Sequence, residues 1–554
     1  MKIQILSGLI FLTALFYFSC NESTEFKDAR KPEPTFEPGD CNEVVFEDDV
    51  LPLLSSACVS CHPGYDKFET AKTKIDVFIK RVNLSEGDPL RMPKIPNPVL
   101  SGEDKKVFSD WKDQGLKKDC DDETSGQNPH LDLDYIESAI QNDLKGLSSG
   151  DQASARYLLT THKSNEGVSK QILKQFANGI NKGINSLSFS RNIVLGVAVD
   201  EYRTIFRFFL KELRISGEDW KIIEDADPIN FESFTNLGKL NKFLAKTRKP
   251  FMHVDTFNFT SFQAEQYYKI RKLPITEGEL FDDIGLDFDR DIEDFDAIFL
   301  GFNNSPISLG KPRLIAGFGA SDGKAYVTFD SLLGQNDPAR NPFERPLVKA
   351  PSGNNLVFDG SETIYSLPNG LLAGFFLADG LGKRVDEAPV NLVSDNISPF
   401  SPIINILSCS QCHNAGFIVN RDEILNHVLE NASSFDLDDV EFVKALYRPA
   451  GSRIVDDSAE HLAAMARMGI SGNDQDPINQ TANNLRRNIR SNELAAFLFI
   501  RTNELIDGIS RSASLKASIG QLVTGGDVTF EVLKQVMPTL LKDLRIGQEP
   551  LIPE

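Results

Sequence analysis

Two copies of one pentapeptide constrain this chain more than any other feature in it. They are Cys58-Val59-Ser60-Cys61-His62 and Cys409-Ser410-Gln411-Cys412-His413. Cys-x-x-Cys-His is the attachment signature of c-type haem. The thiols add across the porphyrin vinyl groups, and the adjacent imidazole becomes the proximal iron ligand. A fold carrying both copies is expected to be built around two covalently held irons. Cys58, Cys61 and His62 would serve one, and Cys409, Cys412 and His413 the other. A zinc or thioredoxin-like Cys pair competes for the first motif. No βαβ pattern surrounds it and no second Cys pair lies nearby, which favours haem.

The remaining cysteines point to export. The chain has seven, and the two motifs use four. Cys20 ends a segment made of Lys2, an apolar run from Ile3 to Phe18, and Ser19. So short an apolar stretch reads as an export signal rather than a spanning helix. It resembles a bacterial lipobox, with Tyr17 and Phe18 where the common pattern has Leu and a small residue. Residues 1–19 are thus expected to be a lipoprotein-type signal peptide and Cys20 the lipidated residue. Plain secretion and an uncleaved anchor helix are the alternatives. Cys41 and Cys120 bracket the first motif, and in an oxidising compartment leftover thiols tend to pair. A Cys41–Cys120 disulfide is expected, against two unrelated thiols. The predicted location is the periplasm or cell envelope, with a lipid anchor to a membrane. Nucleic acid is not an expected partner, because a net charge of −21 lacks the clustered cations that phosphates need.

Residues 20–40 carry Pro32, Pro34 and Pro38 among charges and read as a tether. Residues 41–120 form a first compact unit, and 121–131 a polar linker rich in chain breakers. Residues 132–247 are expected to be mostly helical, from the spacing of Leu158, Leu159, Ile172, Phe176, Ile180 and Ile184. An apolar stripe follows over residues 200–213. Between about 296 and 395, short β-branched and aromatic runs alternate with Asp322-Gly323, Asn369-Gly370 and Asp379-Gly380. That pattern predicts a small antiparallel sheet. The acidic run from Asp282 to Asp296 lacks the spacing of an EF-hand and reads as a solvated loop. Residues 421–545 return to helix. The fold class is mainly α with a small antiparallel β region, an α+β chain. A scaffold spans 132–395, and a second haem-binding helical region spans 396–554.

The second axial ligands follow from what each neighbourhood offers. Residues 41–120 contain one Met, Met92, in a Met-Pro loop, so Met92 is the expected partner of His62. For His413 the choice stays open between His427, His461, Met465, Met468 and water, with His427 favoured. His162 and His253 read as isolated structural histidines, and His130 as solvated.

The unit 41–120 resembles a class I cytochrome c domain. The resemblance rests on Leu51-Pro52-Leu53-Leu54, Cys58–His62, Met92-Pro93, and a terminal helix with Trp111 and Gly115. It implies an all-α fold with His62 and Met92 as axial ligands. From residue 132 onward the chain is similar to a family of large exported cytochrome c-like proteins of planctomycetes and myxobacteria. The matching stretches are Ala155-Arg156-Tyr157 to His162 and Asn165, Leu187-Ser188, Thr204–Arg207, Gly360–Leu371, Lys383–Asp386, the second motif, and Gly525–Val528. That similarity implies that the middle region and the second haem form one unit, and it adds weight to His427 and His162. The expected function is dihaem electron transfer between redox protein partners. A peroxidase-like enzyme using the second haem and a haem-based sensor are the alternatives.

Overall fold

The structure is a computed structural model. It describes residues 44–546, apart from 52, 55–57, 59–61, 63, 86–89, 94–99, 101, 118–128, 230–248, 304–310, 333–335, 390–391, 394–403, 419, 449–450 and 473–474. The signal segment, the tether, Cys20, Cys41, Cys61, Cys120 and most of the linker lie outside the described residues. By internal contacts the chain divides into Met1–Glu43 and Val44–Glu554, and everything below belongs to the second unit.

Between residues 44 and 117 every described element is helical. A π-helical turn, Phe46–Val50, precedes α1 (Phe68–Val82) and α2 (Gly102–Asp113). Helix α1 buries Ala71, Ile75, Phe78 and Val82, a stripe at helical spacing. That stripe meets Phe108 and Trp111 of α2 in a small separate core. Trp111 also closes the unit. Its ring lies 5.6 Å from Phe46, and its indole N–H donates to Lys117 O at 2.7 Å. Lys117 O in turn accepts from Phe46 N at 2.9 Å.

After α3 (Leu133–Lys145) the structure departs from the helical expectation. Leu158 and Leu159 lie in a strand, β1 (Ala155–Leu159), followed by a short helix α4 (Thr161–Asn165) and a long one, α5 (Lys170–Leu187). The stripe at 200–213 contains β3 (Ile205–Phe209), which pairs antiparallel with β1, Leu159 opposite Ile205. With β2 (Val197–Ala198) and β4 (Met252–His253) they form a sheet in the order β2-β3-β1-β4. The misreading has a physical cause. Ala155–Leu159 is buried at every position. A five-residue apolar run buried on both faces has no period to read. The aromatic and β-branched content of Ile205-Phe206-Arg207-Phe208-Phe209 then decides for strand.

Strand β4 runs directly into α6 (Val254–Ser261). The acidic run is not a loop. It folds as α7 (Glu277–Ile284) and α8 (Phe288–Glu293), with Thr276 and Asp287 as N-caps. The expected antiparallel sheet follows as β5 (Ile298–Phe302), β6 (Arg313–Ala320), β7 (Gly323–Asp330), β8 (Gly360–Ser366) and β9 (Leu372–Asp379) in simple meander order. Its hairpins turn at Gly323 (φ 136°) and Gly370 (φ 86°), where only glycine is unstrained. Helices dominate the rest: α9 (Leu407–Cys412), α10 (Ile424–Glu430), α11 (Gly451–Arg467), α12 (Pro477–Ala482), α13 (Ser491–Phe497) and several more to Asp543. The architecture is therefore α+β. The largest apolar core runs from Leu158 to Ala482 and includes Cys409, so it draws on both sides of residue 396. Among the described residues no helix is long and apolar enough to cross a membrane.

Candidate functional site

One backbone hydrogen bond is common to both pentapeptides. The His62 amide donates to Cys58 O at 2.9 Å, and the His413 amide donates to Cys409 O at 2.9 Å. Each is an i to i−4 bond, and at the second motif it belongs to a helical turn. On such a turn, cysteines three residues apart project from one face with the histidine beside them. Cys61 lies outside the described residues, so the full donor set is seen at the second motif alone.

Helix α9 carries Cys409 and Cys412, and its entry is strained. Ile406, a β-branched residue, sits at φ 76°, a conformation costing roughly 1–3 kcal/mol. Asn405 holds it there: its Oδ1 accepts from Ile406 N at 2.9 Å, and its Nδ2 donates to Tyr268 OH at 2.9 Å. Cys409 is buried and its thiol donates to Glu362 Oε1 of β8 at 3.4 Å, whereas Cys412 is exposed. Burial, reinforced by Glu362, pushes the Cys409 thiol well up, so it is neutral.

His413 Nδ1 lies 3.2 Å from Gly416 O. A carbonyl only accepts, so Nδ1 carries the hydrogen and Nε2 keeps its lone pair. Metal-binding histidines are oriented in this manner. Burial lowers the His413 pKa, which keeps the imidazole neutral. Gly416 itself is at φ 107°, and a Cβ there would come within 2.6 Å of Ser458. Glycine is thus required for the carbonyl to reach His413.

A buried ion pair clamps the same turn from below. Lys182 Nζ, on α5, donates to Asn414 Oδ1 at 2.6 Å and to Asp476 Oδ1 at 2.7 Å. Asp476 Oδ2 accepts from Ser410 Oγ at 2.9 Å, inside the motif. His461 of α11 adds a strut, its Nε2 donating to Asn414 O at 2.9 Å while Nδ1 accepts from Leu372 N at 3.0 Å. Burial and the Lys182 charge bring its pKa down to about 4. Beside Cys409, Arg313 Nη2 donates to Asp330 Oδ2 at 2.8 Å and stands 3.8 Å from Glu362 Oε2.

The other expected ligands fall as follows. His427, on α10, packs edge-on to Phe343 and Phe435, with ring centroids 5.3 Å and 6.4 Å away. Met465 and Met468 are buried on or just after α11, and Met468 Sδ accepts from Asn185 Nδ2 at 3.7 Å. In the N-terminal unit, His62 stacks on Tyr65 at 4.8 Å, and Tyr65 lies 5.0 Å from Phe78 of α1. Met92 N donates to Arg81 O at 3.1 Å, and Arg81 Nη1 donates to Leu90 O at 3.0 Å. The His62 turn and the Met92 loop are thus both referred to one face of α1, at Phe78 and Arg81.

Three histidines behave differently from their sequence reading. His130 reaches Phe499 O at 3.1 Å, so it is not simply solvated. His162 and His253, read as isolated, face each other at 3.1 Å. Parallel pairing of β1 and β4, Leu159 opposite His253, brings them together. No signal short of that pairing announces it. Among the described residues no group of three or more His, Cys, Asp or Glu is arranged to hold a metal ion. No protein-family model, curated protein or solved structure matches the chain.

Proposed function

We propose that this chain is an exported dihaem c-type cytochrome that transfers electrons in the periplasm or at the cell envelope. In this reading Cys58, Cys61 and His62, with Met92 as second axial ligand, hold one haem in a class I cytochrome c-like domain. Cys409, Cys412 and His413 hold the other, with His427 as the candidate sixth ligand. Cys20 carries the lipid that anchors the chain to a membrane, and Cys41 pairs with Cys120. Redox proteins are the partners.

The observation that carries the reading is the His413 turn. Its two cysteines flank a helical turn, and its imidazole has Nδ1–H engaged by Gly416 O and Nε2 left as a lone pair. Haem held this way supplies one-electron iron chemistry. The protein's part is to fix the imidazole, through Gly416, and to hold the turn, through Lys182, Asp476 and His461. A second reading, small-molecule redox catalysis or sensing at His413, draws on the buried Arg313–Asp330–Glu362 cluster beside Cys409.

Visible absorption and electron paramagnetic resonance of the mature protein, oxidised and reduced, test both readings. Two low-spin six-coordinate haems are expected. A high-spin centre that binds CO moves the assignment to the second reading, and a chain with no covalent haem overturns both. Met92→Ala should lower the first haem's potential by on the order of 0.1 V, a fraction of the roughly 0.8 V that axial ligands span. Potentiometry showing no change removes Met92 from the iron. His427→Ala should alter the spectrum of the second haem alone, and an unchanged spectrum removes His427.

A further inference from the structure

The second motif is seated on one face of the five-stranded sheet, and that face carries an ion cluster. Side chains two apart on a strand share a face. On β7, Tyr326, Thr328 and Asp330 do so, and Thr328 pairs with Glu362 of β8. Tyr326 meets Phe417, just past the motif, with ring centroids 4.2 Å apart. Arg313 joins from β6. Its Nε and Nη2 grip Asp330 at 2.6 Å and 2.8 Å, and Nη2 also donates to Thr328 Oγ1 at 3.2 Å. Glu362 receives less. Arg313 Nη2 stands 3.8 Å from its Oε2, beyond hydrogen-bond reach. Arg313 and Asp330 are buried, and the Glu362 side chain is 13 % exposed, so water screens the cluster poorly.

Cys409 supplies the other contact, its thiol donating to Glu362 Oε1 at 3.4 Å. Among the described residues it is the one hydrogen-bond donor to that carboxylate. Burial and then the Glu362 charge push the thiol up, so the charge is felt at the sulfur. A thioether has no hydrogen to give. When the Cys409 S–H adds across a vinyl C=C, a C–S bond forms and the hydrogen passes to the second vinyl carbon. Attachment at Cys409 would thus take the donor away from Glu362. The carboxylate would then face the sulfur that carries the porphyrin, with Arg313 held mainly by Asp330.

We propose that Glu362 lowers the potential of the second haem by holding a negative charge beside Cys409, an assignment that rests on the dihaem reading above. The cause is Coulombic. Reduction adds an electron to the iron, and a fixed negative charge in a poorly screened interior opposes it. Arg313 offsets only part of this, because its two short bonds direct the guanidinium at Asp330. Glu362 acts through space and ligates nothing. Its place on the sheet face fixes how strongly it acts.

Potentiometric titration of the full chain, followed at the haem absorbance and resolved into two midpoints, tests it. Glu362→Gln keeps the shape and removes the charge. One midpoint should rise, with the ratio of reduced to oxidised haem changing on the order of tenfold. For a one-electron couple that is about 59 mV. The other midpoint should stay in place. Glu362→Asp keeps the charge and draws it back by one methylene, so it should raise the same midpoint less. Where Glu362→Gln does not fold, Asp330→Asn carries the test. It removes a second negative charge and releases Arg313 toward Glu362, so the same midpoint should again rise. Two covalent haems with unmoved midpoints overturn this assignment alone, as do equal rises in Glu362→Gln and Glu362→Asp, which would mark an effect of packing. A denatured chain with no haem on Cys409 and Cys412 overturns the dihaem reading and this assignment with it.

Discussion

Replacing Cys409 and Cys412 together by Ala should leave a chain with one covalent haem in place of the two proposed for the wild type. The haem absorbance of the denatured protein should fall by half, and the intact mass by one haem. Cys58→Ala with Cys61→Ala should give the complementary product, so the two double variants isolate the two spectra. The single variants of the second motif separate attachment from packing. Cys412 is exposed, so Cys412→Ala removes a thioether at little cost to the fold. Cys409 is 2 % exposed and lies in the largest core, between Asn405 and Glu362. Cys409→Ala should therefore also destabilise the scaffold, by about 1–2 kcal/mol for a small buried truncation. Haem-stained denaturing gels and mass spectrometry give the count, and denaturant titration gives the stability. A second-motif double variant that still carries two covalent haems would sink the assignment of Cys409 and Cys412.

The pentapeptides and the meander sheet were legible because their signals are local. In the second motif Cys, Cys and His occupy one helical turn, and Asp322-Gly323 and Asn369-Gly370 turn hairpins whose strands neighbour them in sequence. Residues that act at a distance were not legible. Lys182 meets Asn414 and Asp476 from 232 and 294 positions away, and nothing in the helical pattern of Lys170–Leu187 marks one lysine as buried. The His162–His253 contact depends on a two-residue parallel strand, too short for any periodicity. The strained Ile406 is likewise invisible beforehand, since a β-branched residue is the last expected at positive φ. The acidic run misled for the opposite reason. Its composition reads as solvated loop, but Thr276 and Asp287 cap it into helices.

Lys182→Met should be the most destabilising single substitution near the second motif. Lys182 is 3 % exposed and Asp476 is 2 % exposed, so neither charge has water to fall back on. Removing one partner of a buried ion pair costs about 3–5 kcal/mol, because the other is stranded. Asp476 keeps other donors, Ser410 Oγ at 2.9 Å and Asn479 Nδ2 at 2.6 Å, which places the loss toward the lower end. The sign with pH follows from the carboxyl. Burial would raise Asp476, but Lys182 outweighs it and holds the group below its ordinary value. A carboxyl with a depressed folded-state pKa stabilises the fold above its unfolded value, near pH 4, and that contribution fades as pH falls through the folded one. The gap between wild type and Lys182→Met should thus be full at neutral pH and narrow as pH falls through the folded-state value, as Asp476 takes up a proton and no longer needs the cation. Lys182→Met with Asp476→Leu should lose less than the two single losses added together, since no charge remains stranded, although α12 gives up its N-cap, worth about 1 kcal/mol. The same variants report on His413. Asp476 holds Ser410 and Lys182 holds Asn414, so releasing them loosens both ends of the turn that presents the imidazole. Denaturant midpoints from pH 3 to 8, measured beside the second-haem spectrum, decide the matter. A gap that does not change with pH would show that Lys182 acts through packing rather than through its charge on Asp476.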